Sequence, residues 1–195
     1  MNRKGILFVI SGPSGVGKGT LKKALLDQTK DLNLSISATT RPARPGEVHG
    51  QHYFFMDQAK FREMIEEDAF LEWAQVYSNL YGTPRGFVLN HLQQGRDVLL
   101  EIDIQGALQV KEKMPSGVFI FIYPPNLEEL AFRLVSRGQD SKDSIEARLA
   151  ACENELKHID YYDYLVVNDK IDHALQKITA IIIAERCKIK NLNMR

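Results

Sequence analysis

Between residues 6 and 20 the chain places an apolar run, a glycine-rich turn and the start of a helix in immediate succession, and few architectures accept that order. Ile6-Leu7-Phe8-Val9-Ile10 is apolar without alternation and stops at Ser11-Gly12. Such a run reads as a strand buried on both faces, as in a parallel sheet. Gly12-Pro13-Ser14-Gly15-Val16-Gly17-Lys18 follows and satisfies G-x-x-x-x-G-K. Its glycines let the backbone curl so that several N–H groups point at one anion, and Lys18 reaches the β- and γ-phosphates of a nucleotide. Leu21, Ala24 and Leu25 then fall at helical spacing among Lys22, Lys23 and Asp27. A helix therefore opens directly after the loop and brings its positive dipole end and unpaired N–H donors to the same place. Strand, glycine loop and helix together imply ATP-dependent phosphotransfer, with Gly12, Pro13, Ser14, Gly15, Val16, Gly17, Lys18, Gly19 and Thr20 as the donor-nucleotide residues.

The loop departs from its usual form at one position. Gly19 follows Lys18 where a Ser or Thr commonly ligates Mg²⁺. Thr20 is next, but on a helix its side chain is rotated by about 100° from position 19, which makes it a weak substitute. The expectation is Mg²⁺ held mainly by ATP oxygens and water, with Thr20, Glu101 and Asp103 contributing through water and no direct protein ligand assigned.

Beyond the loop, Val98-Leu99-Leu100-Glu101-Ile102-Asp103, Val118-Phe119-Ile120-Phe121-Ile122-Tyr123 and Tyr164-Leu165-Val166-Val167-Asn168 repeat the buried-strand pattern. Helical periodicity covers Leu127 to about Leu156, broken at Gly138, and Ile171 to about Ile189. Strands alternating with helices predict an α/β class, a P-loop three-layer fold around a central parallel sheet. The stretch from Asn33 to Asn90 differs: Thr39 to Gly46 forbids helix, Tyr53 to Met56 suggests a small strand, and Phe61, Met64 and Ile65 mark a short helix. It reads as an inserted lobe. The division expected is a core of residues 1–34, 91–125 and 157–195, a lobe over 35–90 and a helical lid over 126–156.

Basic and acidic residues both number 25, so no global field draws the chain toward nucleic acid or an anionic membrane. The two cysteines, Cys152 and Cys187, form no metal spacing and no disulfide framework. The apolar run after Asn2-Arg3-Lys4 stops too soon for a signal peptide, and Ile178 to Ala184 is far shorter than the roughly 20 residues that span a bilayer. A cytoplasmic, unprocessed protein is expected, with homo-oligomerisation left open.

The loop specifies the donor and leaves the acceptor to the lobe. Arg41 and Arg44 each adjoin a proline, which keeps the stretch extended, and side chains three apart in such a conformation project the same way. Two guanidiniums on one side form a clamp for an oxyanion. Here the chain resembles the guanylate kinase family, through Ser37-Ala38-Thr39-Thr40-Arg41-Pro42, Arg44, Gly46-Glu47 and Tyr53-Phe54-Phe55. The resemblance continues through Phe70-Leu71-Glu72-Trp73-Ala74, Tyr81-Gly82-Thr83, Glu101 to Gly106, Arg133, Arg137-Gly138 and Val167-Asn168-Asp169, and so covers nearly the whole chain.

What the resemblance implies is transfer of the ATP γ-phosphoryl to GMP, and also dGMP, with Mg²⁺ accompanying ATP. The inserted lobe becomes the GMP-binding lobe. Arg41, Arg44, Tyr53 and Tyr81 would hold the GMP phosphate, with Glu47 in the same set. Glu72 would accept from guanine N1–H and the 2-amino group, which adenine cannot offer together. Ser37 and Thr83 would meet the O6 edge, Asp103 the base amino group, and Asn168 the adenine of ATP. Taken alone, Glu72 reads as a surface acid beside a core Trp73. Arg133, Arg137 and Arg148 resemble lid arginines that close over the ATP phosphates and, with Lys18 and Arg41, form the catalytic set. An anionic phosphate oxygen needs no general base, and none of the five histidines shows triad or metal spacing. Three rivals are weaker. A non-catalytic module of the same fold would be expected to lose the loop lysine or the lid arginines. A guanine-nucleotide switch wants N-K-x-D, and Asn168-Asp169-Lys170 has the wrong order. Gly17-Lys18-Gly19-Thr20 resembles adenylate kinases, but the Arg-Pro clamp, Glu72 and Asp103 argue for GMP.

Overall fold

The computed structural model describes residues 3–136, 152 and 155–192. Five strands form one parallel sheet in the order β2 (Leu32–Leu34), β7 (Asp97–Glu101), β1 (Leu7–Ser11), β8 (Val118–Tyr123) and β9 (Tyr164–Val167). β1 is central, with β2 and β7 on one side and β8 and β9 on the other, so the connections leaving β1 and β7 run in opposite directions and open a crevice between them. That crevice at the carboxyl ends of the strands is where open α/β sheets bind ligands.

Alternation along β1 explains the layers. Phe8 and Ile10 join Leu21 and Leu25 of α1 (Lys18–Gln28) and Leu175, Ile178 and Ile182 of α6 (Ile171–Cys187) in one core. Leu7 and Val9 face the other way, onto Val88 of α3 (Arg85–Gln93) and Ala107 and Val110 of α4 (Ile104–Lys113). Both faces of the sheet are thus covered, as a continuous apolar strand requires. Fully burying a side chain such as Phe8 contributes about 1.5–3 kcal/mol. The expected three-layer architecture is what forms. The first strand runs one residue later than expected because Ser11 is buried too, and the last helix stops at Cys187, with Ile189 78% exposed beyond it.

The inserted segment builds a second sheet in the order β4 (Phe54–Phe55), β3 (Ala38–Thr39), β6 (Asn79–Pro84) and β5 (Phe70–Val76). Its small core of Ala38, Phe61, Phe70 and Leu80 is capped by α2 (Gln58–Glu66), whose first turn is closed by Asp57 accepting from Lys60 N at 2.7 Å. Leu71 leaves this lobe to join the main core. Val88 does the same from α3, so α3 packs with the main sheet and the lobe's own sheet ends at Pro84. The backbone of α5 (Leu127–Ser136) follows β8. Arg137 and Arg148 lie outside the described residues, as does most of the expected lid.

Opposite the glycine loop, Asp97 ties both ends of the described chain to the sheet. It is fully buried and accepts from Ile6 N at 2.9 Å, from both terminal nitrogens of Arg3 and from Arg186 Nε at 2.7 Å.

Candidate active site

The glycine loop leaves the carboxyl end of β1 in a shape that two of its glycines make possible. Gly12 has φ +148°, and a Cβ there would stand 2.3 Å from the Ile122 carbonyl oxygen. Gly17 has φ +97°, and a Cβ there would meet Asn168 Nδ2 at 2.6 Å. Side chains in either place would force the loop open. Gly17 is also the N-cap of α1 and offers no side-chain acceptor, so the first N–H groups of the helix stay available to an anion. Lys18 Nζ folds back to donate to the Gly12 and Pro13 carbonyls. Asn168 follows β9, is 3% exposed and donates from Nδ2 to Val16 O at 2.8 Å. Its side chain braces the loop from behind.

At the position after Lys18 the neighbouring polar group is a carboxylate rather than a hydroxyl. Gly19 has no hydroxyl, and a Cβ on it would lie 3.9 Å from Glu101 Oε1, in ordinary contact. A carboxylate from the end of β7 thus stands against the loop where the hydroxyl is missing. Among the described residues no group of three or more His, Cys, Asp or Glu is arranged to hold a metal. Thr20 is exposed on the first turn of α1, and Asp103 is engaged as the N-cap of α4, accepting from Gly106 N at 2.8 Å.

On the acceptor side the structure brings three of the sequence-selected residues onto Arg41. Arg41 donates to Glu47 Oε1 at 2.8 Å and stacks over the rings of Tyr53 and Phe55 at 5.6 and 5.8 Å. Tyr81 packs edge-on against Tyr53, with ring centres 6.1 Å apart, and adds to the pull on Arg41. Glu47 also accepts from Arg44 N at 2.7 Å, and these two bonds hold its carboxyl down to about 2. Arg44 therefore enters by its backbone; its side chain is exposed. A turn closed by Glu47 N donating to Arg44 O replaces the continued extension expected there, because Gly46 takes φ +86°.

Deeper in, Glu72 and Trp73 occupy the reverse of the places their chemistry suggests. Glu72 is 8% exposed and Trp73 37%. The cause is a bulge in β5: Phe70 pairs with Pro84 and Glu72 with Thr83, so the register shifts between them. The extra residue turns Leu71 into the main core and leaves Glu72 buried beside it. Thr83 Oγ1 donates to Glu72 Oε1 at 2.6 Å. The other oxygen and Asp103 Oδ1 flank Gly106, where a Cβ would meet them at 3.2 and 3.4 Å. Both carboxylates sit at the N-terminus of α4, whose dipole favours negative charge. Burial nevertheless pushes the Glu72 carboxyl up; the Thr83 bond opposes this and Asp103 reinforces it. Gln109 holds the strand to α4, accepting from Trp73 N and donating to Trp73 O, each at 3.1 Å.

Thr83, Ser37 and Tyr53 line one cavity of about 270 Å³ together with Lys22, Ser35, His52, Glu101 and Ile102. The sequence pattern did not single out Lys22, Gln109 or Glu155. Glu155 is half-buried, faces the charges of Lys18 and Asp103, and is pushed up mainly by burial. No local motif marks any of the three, since each acquires its neighbours only from packing. Arg133 lies in α5.

A glycine loop at the carboxyl edge of a parallel sheet, joined through Glu101 to a polar cavity walled by a second sheet, is the arrangement of a P-loop phosphotransferase. The guanylate kinase family profile matches residues 4–185. The guanylate kinase of Syntrophomonas wolfei subsp. wolfei is 97% identical over 195 residues, spanning all of both chains. That of Caldanaerobacter subterraneus subsp. tengcongensis is 58% identical over 189 residues, covering 97% of this chain and 92% of its own. Among solved structures, a guanylate kinase from Anaplasma phagocytophilum superposes with a TM-score of 0.75 at 34% identity, over 97% of this chain and 90% of that one. The chain belongs to the guanylate kinase family.

Proposed function

We propose that the chain transfers the γ-phosphoryl group of ATP to GMP, giving ADP and GDP, with dGMP as a further acceptor. The observation that carries the choice of acceptor is the buried Glu72 carboxylate, bonded to Thr83 at the edge of the acceptor cavity. A carboxylate there accepts from guanine N1–H and the 2-amino group, whereas adenine would set its N1 lone pair against it. Buried polar groups left unpaired by the wrong base discriminate by about 10⁴-fold or more.

The remaining assignments rest on the family resemblance, and the contacts of Arg41, Glu47 and Thr83 support them. Ser37 and Thr83 serve the O6 edge and Asp103 the base amino group. Arg41, Arg44, Tyr53 and Tyr81 take the acceptor phosphate, with Glu47 setting the angle of Arg41 and the course of the Arg44 backbone. The loop N–H groups and Lys18 take the donor phosphates, and Asn168 supports the loop beneath the adenine site. Arg133, Arg137 and Arg148 add positive charge over the ATP phosphates, the last two from outside the described residues. An oxygen of the acceptor phosphate attacks the γ-phosphorus as the bond to the bridging oxygen of ADP breaks. No proton need be removed first, so the work is alignment, charge cancellation and exclusion of water. Mg²⁺ bound to ATP would neutralise charge on the β- and γ-oxygens, and Glu101, with Thr20 and Asp103 farther off, would hold its water shell.

Among the described residues no helix is long and apolar enough to cross a membrane. We place the enzyme in the cytoplasm, acting on small-molecule substrates with no nucleic-acid or membrane partner. A coupled assay offering ATP with GMP, dGMP, AMP, UMP and CMP in turn tests the reading. GMP should lead, dGMP should follow, and the other three should be near background; preference for AMP would overturn it.

A further inference from the structure

The acceptor cavity contains a cation–carboxylate pair, Lys22 and Glu101, whose cation neither nucleotide assignment uses. Lys22 stands one turn after Lys18 on α1, so the two side chains leave neighbouring positions on one helix face. Its Nζ lies 2.6 Å from Glu101 Oε2, with the two side chains 29% and 21% exposed. Both residues line the cavity that Ser37, Tyr53 and Thr83 share. The other oxygen of Glu101 is the one 3.9 Å from the place of a Cβ on Gly19. Glu101 therefore divides its carboxylate between the acceptor side and the donor loop.

An uncompensated carboxylate between two polyanion sites would repel both substrates, and Lys22 cancels it. A divalent cation carried by ATP would supply a stronger counter-charge to Glu101, and the lysine would then be free to leave it. We propose that Lys22 is a positioning residue that exchanges partners: it neutralises Glu101 in the empty enzyme and turns to the acceptor phosphate once metal-bound ATP occupies the loop. Donor binding then tightens acceptor binding, with no bond made or broken and no net change of charge in the protein. The proposal rests on the reading of this cavity as the GMP site.

Calorimetric titration of GMP separates the two ideas. It is run on the free protein, with a non-hydrolysable ATP analogue in EDTA, and with the same analogue plus Mg²⁺. In the wild type the metal should tighten GMP by about tenfold beyond the metal-free analogue, within the usual range of coupling between sites. Lys22→Met should lose that metal-dependent increment and Lys22→Arg should keep it. Glu101→Gln, in which the lysine is already released, should bind GMP more tightly without analogue and gain nothing from Mg²⁺. An unchanged increment in Lys22→Met, or none in the wild type, overturns the exchange while leaving GMP binding intact. Absence of GMP binding in every variant overturns the reading of the cavity and the exchange with it.

Discussion

At position 72 a carboxylate lies 8% exposed, and its environment works against its charge. Burial raises its pKa above the ordinary 4.5, so the native state takes up a proton before the unfolded chain does as the pH falls. Stability therefore decreases as pH rises through that window. Glu72→Gln should accordingly melt higher than the wild type at neutral pH, with the difference closing below the ordinary carboxylate value. The same variant should raise KM for GMP by about 100-fold or more and leave KM for ATP nearly unchanged. In the wild type KM for GMP should climb on the acid side, with a midpoint above the usual carboxylate range, and the variant should lack that limb. Equal effects on both substrates would contradict the assignment. Glu47 shows the opposite sign: held near 2 by Arg41 and the Arg44 N–H, its latch is present above the ordinary carboxylate value and is lost only as pH falls toward about 2. Acid should thus disable base recognition before it loosens the phosphate clamp. The sequence motif identified Glu72, but not that it is buried while Trp73 is exposed. That reversal depends on a register shift against β6, a pairing partner that local pattern does not name.

The element proposed to bind the donor is the loop between β1 and α1, and it is legible in sequence because each part answers to local geometry. Its support is not local. Asn168 reaches Val16 O from the end of β9, across 152 positions of chain. Removing a buried hydrogen-bond partner costs about 1–3 kcal/mol. Asn168→Ala should lower the melting temperature and raise KM for ATP several-fold more than KM for GMP. Asn168→Asp should be worse for ATP, because a carboxylate cannot donate to the carbonyl and sets a negative charge behind a phosphate site. Steady-state kinetics with either substrate varied, together with thermal melts, would show a purely structural role if both KM values moved alike. Among the other elements, the long apolar strands were readable from composition, whereas β2, β3 and β6 are short or carry mixed residues and exist by pairing with neighbours.

Across the whole molecule, the two edges of the main sheet have separate duties. The carboxyl edge carries the loop, Glu101 and Asp103. The opposite edge carries the Asp97 cluster, where Arg3, Ile6 N and Arg186 converge and Arg186 also meets Asp31 at 3.0 Å. Breaking one partner of a buried charge cluster costs about 3–5 kcal/mol. Asp97→Asn should therefore lower the unfolding free energy by about that amount, read from the urea midpoint at unchanged m, while kcat of the folded enzyme stays close to that of the wild type. A large loss of kcat in fully folded variant would mean that the far edge also shapes the site.

By itself the sequence determined the architecture and the donor chemistry, because buried parallel strands, a glycine loop and a helix start each leave a mark within a few residues. It also carried the family's motif residues at Arg41, Arg44, Glu72 and Asp103. Only the tertiary structure decided how those residues meet. Glu47 ties the side chain of Arg41 to the backbone of Arg44, the bulge buries Glu72 beside Thr83, and Glu101 stands between Gly19 and Lys22. Each of these depends on strand register or on helix packing over the sheet, and contacts between residues distant in the chain leave no periodic trace in it.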